Sequence, residues 1–83
     1  MAEWHWELFA DDVLDGLPDE ALAETKQLVE QITMRESMIF LDGASYTGIG
    51  PGPRTEAVSR LMLTYLTDVR GERVVIIQVT WSG

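Results

Sequence analysis

The chain has no cysteine, which excludes disulfides and thiolate metal sites. Its single histidine, His5, rules out the paired-histidine spacing on which zinc sites are usually built. Basic residues are scarce, six against 14 acids, leaving a net charge of −8 over 83 residues. Nucleic-acid binders generally carry a basic footprint, because phosphate contacts dominate their affinity. A chain this acidic is expected to bind neither free RNA or DNA nor an anionic membrane surface. No apolar run approaches the roughly 18–20 residues that span a bilayer, and the opening residues lack the basic-then-apolar pattern of a leader. The expectation is a cytoplasmic protein that needs no metal, nucleotide or other cofactor.

What the sequence does contain is core material. Apolar residues make up 46% of the chain, enough for one small hydrophobic core, and 83 residues are read as a single domain, 1–83. Trp4, Trp6 and Leu8 alternate with His5 and Glu7, which predicts a strand with the tryptophans inward and His5 outward. The period then lengthens. Ala10, Val13, Leu14 and Leu17 suggest a short first helix, closed by Gly16 and the Leu17-Pro18 step. Pro18, Asp19 and Glu20 suit the start of a second helix running to about Arg35, with Leu22, Thr25, Val29 and Ile32 on its buried stripe. Ser37 to Leu41 fits either a helical extension or a short buried segment. Two β-rich runs, Arg60 to Thr67 and Arg73 to Trp81, flank a hairpin loop, and Glu56 to Val58 is a candidate short strand. The expected fold class is α+β: an N-terminal strand, two helices, then a C-terminal antiparallel sheet.

The stretch TGIGPGPR, residues 47–54, has the glycine density of a phosphate-cradling loop. Pro51 and Pro53, however, have no N–H to offer an anion, and no Lys-Ser/Thr pair follows. The next element is expected to be a strand rather than a helix. A semi-rigid connection fits these residues better than a nucleotide site. Ser59 and Ser82 have no histidine placed with them in a triad motif, and the helical acids read as a solvated face.

Two segments carry a family resemblance: WHWELFADDVLDGLPDEALAETKQLVEQI and SRLMLTYLTDVRGERVVIIQVTW. Their order of strand, helical hairpin and paired strands resembles the RelE/ParE toxin superfamily over nearly the whole chain. The resemblance implies a compact toxin domain whose antitoxin wraps around it. RelE-like members cleave messenger RNA on the ribosome with basic and aromatic side chains, whereas ParE-like members inhibit DNA gyrase. On that footing Arg60, Arg73 and Tyr65 are candidate catalytic residues, and Arg54 joins Arg60 and Arg73 as a candidate phosphate contact. The acidic balance runs against the basic character of RelE-type toxins. The expected function is therefore a diverged toxin-like protein acting by protein–protein binding, with a ribosome-dependent endonuclease and a small regulatory or structural domain as alternatives.

Strict alternation along the last strand would put Val75, Ile77, Val79 and Trp81 on one face and Val74, Ile76, Gln78 and Thr80 on the other. One face packs on the helices. The other needs a cover, which either residues 37–56 or a partner supplies. Val74 and Ile76, with Arg54, are accordingly candidate binding residues for an antitoxin-like protein or a second copy.

Overall fold

The computed structural model describes residues 3–41, 43–48 and 50–82. Strand β1 is His5–Leu8 and helix α1 is Asp19–Ile39, followed by a short 3-10 turn at Gly43–Ser45. Strands β2 (Arg54–Val58), β3 (Leu61–Asp68) and β4 (Arg73–Trp81) complete the chain. The sheet order is β1-β4-β3-β2, with β1 parallel to β4 and the other pairs antiparallel. The class is α+β, but the architecture is one helix on a mixed four-stranded sheet, and the expected helical hairpin is not there.

The missing helix has a local cause. Between Ala10 and Leu17 the backbone closes successive i to i+3 turns: the Val13, Asp15 and Leu17 N–H groups donate to Ala10, Asp12 and Leu14 at 3.2, 3.1 and 3.4 Å. Asp11, Asp12, Asp15 and Gly16 are all poor helix formers, and so short a segment does not repay helix nucleation. Gly16 adopts φ +81°, which ends any helical path before Pro18.

Helix α1 starts as expected, with Pro18 extended at φ −68° and Asp19 and Glu20 in the first turn. It runs four residues past Arg35, to Ile39, and closes where the Phe40 N–H donates to the Glu36 carbonyl at 2.9 Å. Its inner stripe is Ala21, Thr25, Leu28, Val29, Ile32, Thr33 and Glu36. Thr25 and Thr33 are tolerated inside because each hydroxyl donates back to a carbonyl one turn earlier, at 2.7 and 2.8 Å.

This stripe lies on Leu61, Leu63 and Tyr65 of β3 and Val74 and Ile76 of β4, with Trp4, Trp6 and Leu8 packed against the same core. Each large aliphatic side chain sealed there contributes about 1.5–3 kcal/mol. Trp4 and Trp6 are half-buried and His5 is exposed, so the direction of the β1 alternation is as expected.

Strand β4 departs from alternation. Tyr65 faces Ile76 and Thr64 faces Gln78, so Ile77 is an extra residue without a partner on β3. This bulge reverses the phase. Val79 and Trp81 join Val74 and Ile76 on the helix side, leaving exposed Gln78 and Thr80 on the other. Val74 and Ile76 are 0% and 1% exposed, so they belong to the core rather than to a binding surface. The other sheet face is mixed: Val75, Leu66 and Met62 share it with Thr64, Gln78 and Thr80, and the expected grouping of Val74 and Ile76 there is not found.

The 3-10 turn packs on the β3–β4 loop so tightly that a Cβ on Gly43 would overlap the Val69 carbonyl oxygen. Gly52 has nothing within 4 Å of such a position. Gly43→Ala is therefore expected to cost about 1–3 kcal/mol in urea unfolding, while Gly52→Ala leaves the midpoint nearly unchanged.

Candidate functional site

Under the last turns of α1 lies a charged cluster. Glu36 points inward from the helix with no exposure, and its Oε1 accepts from the Arg54 guanidinium and, at 2.6 Å, from the Thr67 hydroxyl. Arg54 is the first residue of β2, and it also donates to Thr67 Oγ1 at 2.8 Å. Its guanidinium stands over the Tyr65 ring, 5.1 Å from the centroid. Tyr65 Oη accepts from Arg35 at 2.8 Å and donates to Glu56 at 3.3 Å, while Arg35 pairs with Glu56 at 2.6 Å. Hydrogen bonding to Glu56 holds the Arg35 guanidinium above its ordinary pKa, against the opposing effect of burial.

The fold thus brings together two of the sequence-derived candidates, Arg54 and Tyr65. Arg73 lies elsewhere, in ion pairs with Glu7 and, at 2.8 Å, with Asp68. Arg60 lies in the β2–β3 turn, its guanidinium 5.8 Å from the Trp81 ring centroid. Glycines 48 and 50 flank a surface hollow with Pro51, Leu66 and Arg70, in keeping with a connection that leads into β2.

Electrostatics limit what this cluster can do. A cleaving ribonuclease needs free cations aimed at a phosphate and an accessible base. Arg35, Arg54 and Arg73 are each already bonded to carboxylates, and Glu36 is sealed from solvent. Among the described residues, no group of three or more His, Asp or Glu is placed to hold a metal, and no helix is long and apolar enough to cross a membrane. The cluster's chemistry is that of a clamp between α1 and the β2–β3 hairpin.

Directly outside the clamp, the surface changes character. Met34, Met38, Ile39 and Leu41 are 67%, 68%, 59% and 75% exposed. Met34 and Met38 share one helix face at i, i+4, exposed Leu41 lies just past the helix end, and Arg35 and Gln31 border a shallow apolar surface with Met34, Met38 and Ile39. A helix face turned to water is normally polar; this one is not. Sequence reading missed it because Ser37 to Leu41 was ambiguous between helix and buried segment. The signal was there in the i, i+4 spacing of Met34 and Met38 beside Ile39, once the helix is carried to Ile39. No family model, curated protein or solved structure matches the chain.

Removing Arg54 would leave the buried Glu36 carboxylate with the Thr67 hydroxyl and a longer ion pair to Arg35 Nε at 3.9 Å. Arg54→Ala is expected to destabilise by about 2–3 kcal/mol, less than a fully buried pair because Arg54 is itself part-exposed. Arg60→Ala, which loses only an exposed ring contact, is expected to cost about 0.5–1 kcal/mol in the same denaturant titration.

Asp68 gives a pH signature. The hydrogen bond from Arg73 holds its carboxyl below the ordinary aspartate range; burial opposes this, and the Gly71 N–H reinforces it. The unfolded chain takes up a proton on this group first. The contribution is therefore complete above the ordinary aspartate pKa and lost as pH falls through the lower folded value. Asp68→Asn is expected to flatten the decline in unfolding midpoint from about pH 5 downward.

Proposed function

We propose that this chain acts by docking on another protein through the outer face of α1, without chemistry of its own. The observation that carries the reading is the run of exposed apolar side chains, Met34, Met38 and Ile39 on a helix that turns its other face to the core, with Leu41 just past its end. The partner's contact segment is apolar where it meets these residues and basic around them. A net charge of −8 favours a cationic partner by long-range steering and disfavours a second copy of the same chain. Flexible methionines suit such a surface, because they repack against whatever segment arrives.

The narrower reading is a diverged toxin-like protein of a toxin–antitoxin pair, the docked partner being its antitoxin. Of the order on which the resemblance rests, the opening strand, the long helix and the closing β3–β4 hairpin are present. The helical hairpin that formed part of the resemblance is replaced by turns. Pairing of Arg35, Arg54 and Arg73 with carboxylates argues against the endonuclease alternative.

The test is co-expression with the products of the adjacent genes, followed by purification at low and high salt. A stoichiometric, salt-sensitive complex that Met38→Glu abolishes is expected, with the variant's stability within about 0.5 kcal/mol of the parent. Complexes indifferent to Met38→Glu would remove the helix face from consideration. Concentration-dependent self-association abolished by the same substitution would assign the face to a second copy and overturn the cationic-partner reading.

A further inference from the structure

A second feature sits at the other half of α1. Between the helix, β1 and the turns that replace the first helix there is a half-open apolar cavity of about 320 Å³. Its walls are Trp6, Leu8, Leu14, Leu22, Val29 and Ile76. That volume falls at the lower end of the roughly 300–1,000 Å³ typical of small-molecule sites. Thr25 also lines it, but its hydroxyl is committed to the Ala21 carbonyl at 2.7 Å and does not compete for a ligand.

One charged residue lines this cavity, Lys26. In a chain with 14 acids, Lys26 makes no ion pair among the described residues. Arg35, Arg54 and Arg73 are paired with acids and Arg60 lies over Trp81; Arg70, in the β3–β4 loop, is exposed and lines a different hollow, so Lys26 is the unpaired base at this cavity. A lysine in this place lays its methylenes along apolar surface and keeps its ammonium at the water boundary. An uncompensated cation at the mouth of an apolar cavity is complementary to one ligand chemistry, an apolar tail ending in an anion.

We propose that this cavity binds a medium-chain apolar carboxylate. The tail lies against Trp6, Leu8, Leu22, Val29 and Ile76, and the carboxylate pairs with the Lys26 ammonium. The site shares no residue with the Met34–Leu41 face and does not depend on the protein-docking reading.

The experiment is a titration of the full chain with octanoate, octanol and octylammonium, followed by amide and indole NMR shifts. Octanoate is expected to give saturable shifts at the Trp6 indole and the amides of Leu22 to Val29, with octanol weaker and octylammonium weakest. Lys26→Gln is expected to weaken octanoate by about fivefold, to the level of octanol. Leu22→Trp, which fills the cavity, is expected to abolish binding of all three; Lys26→Gln carries the test if that variant does not fold. Equal affinity for the three head groups, octanoate affinity unchanged in Lys26→Gln, or shifts centred on Met34 and Met38 would each overturn the proposal.

Discussion

A carboxylate shut away from water, Glu36, sets the constraint on which the rest of the molecule depends. Burying that charge without compensation would cost several kcal/mol, so a cation and a hydroxyl must arrive at it together. Arg54 comes from the first residue of β2 and Thr67 from the far end of β3. Meeting that demand fixes where the glycine- and proline-rich connection ends, how β2 registers on β3, and how far along α1 the hairpin sits. Tyr65 is then held between the Arg54 guanidinium above its ring and the Arg35–Glu56 pair at its hydroxyl. The match is incomplete, since Glu36 Oε2 and Arg54 Nε are buried without hydrogen-bond partners. Well-packed apolar residues would often be as stable in such a place. We read the role of the pair as specifying one placement of helix on hairpin rather than adding stability.

The same economy of bases shapes the exterior. Three of six are engaged with carboxylates, and a fourth lies over an indole ring. What faces outward is therefore mainly acid, relieved by the apolar stretch at the end of α1, by Arg70 in the β3–β4 loop and by Lys26 at the edge of its cavity. An acidic protein of this kind distinguishes partners first by sign of charge and then by shape. Of the arginines that invited a phosphate-binding reading, Arg54 and Arg73 are counterions to carboxylates instead, and Arg60 lies over the Trp81 ring.

Much of the fold was legible because local periodicity and core burial agree. The main helix, the β3–β4 hairpin and the inward tryptophans all follow from patterns within a few residues of one another. The first helix misled because Ala10, Val13, Leu14 and Leu17 have helical spacing on residues too few and too poor in propensity to nucleate. The β4 bulge was illegible: Val74 to Trp81 alternates well either side of Ile77, and only pairing with β3 shows the phase change. Of the site, Arg54 and Tyr65 were found as types of residue. Their partner Glu36 was not, because a glutamate on an acidic helix looks like every other solvated one until β2 and β3, 18 and 31 residues on, bring up Arg54 and Thr67.

The parallel pairing of β1 with β4 has a consequence for how the chain acquires its shape. His5 lies beside Arg73, so the first strand has no place in the sheet until the last one has formed against β3. Closing a loop of that length early is entropically costly, and contacts so distant in sequence slow folding. The helix and the β2–β3–β4 meander can assemble from nearer neighbours, leaving β1 to dock afterwards. Until it does, Trp4 and Trp6 remain in water and the apolar cavity beside α1 lacks one wall. The domain is thus completed by its own beginning, and the edge of β4 that β1 covers stays open to a competing strand for as long as that step takes.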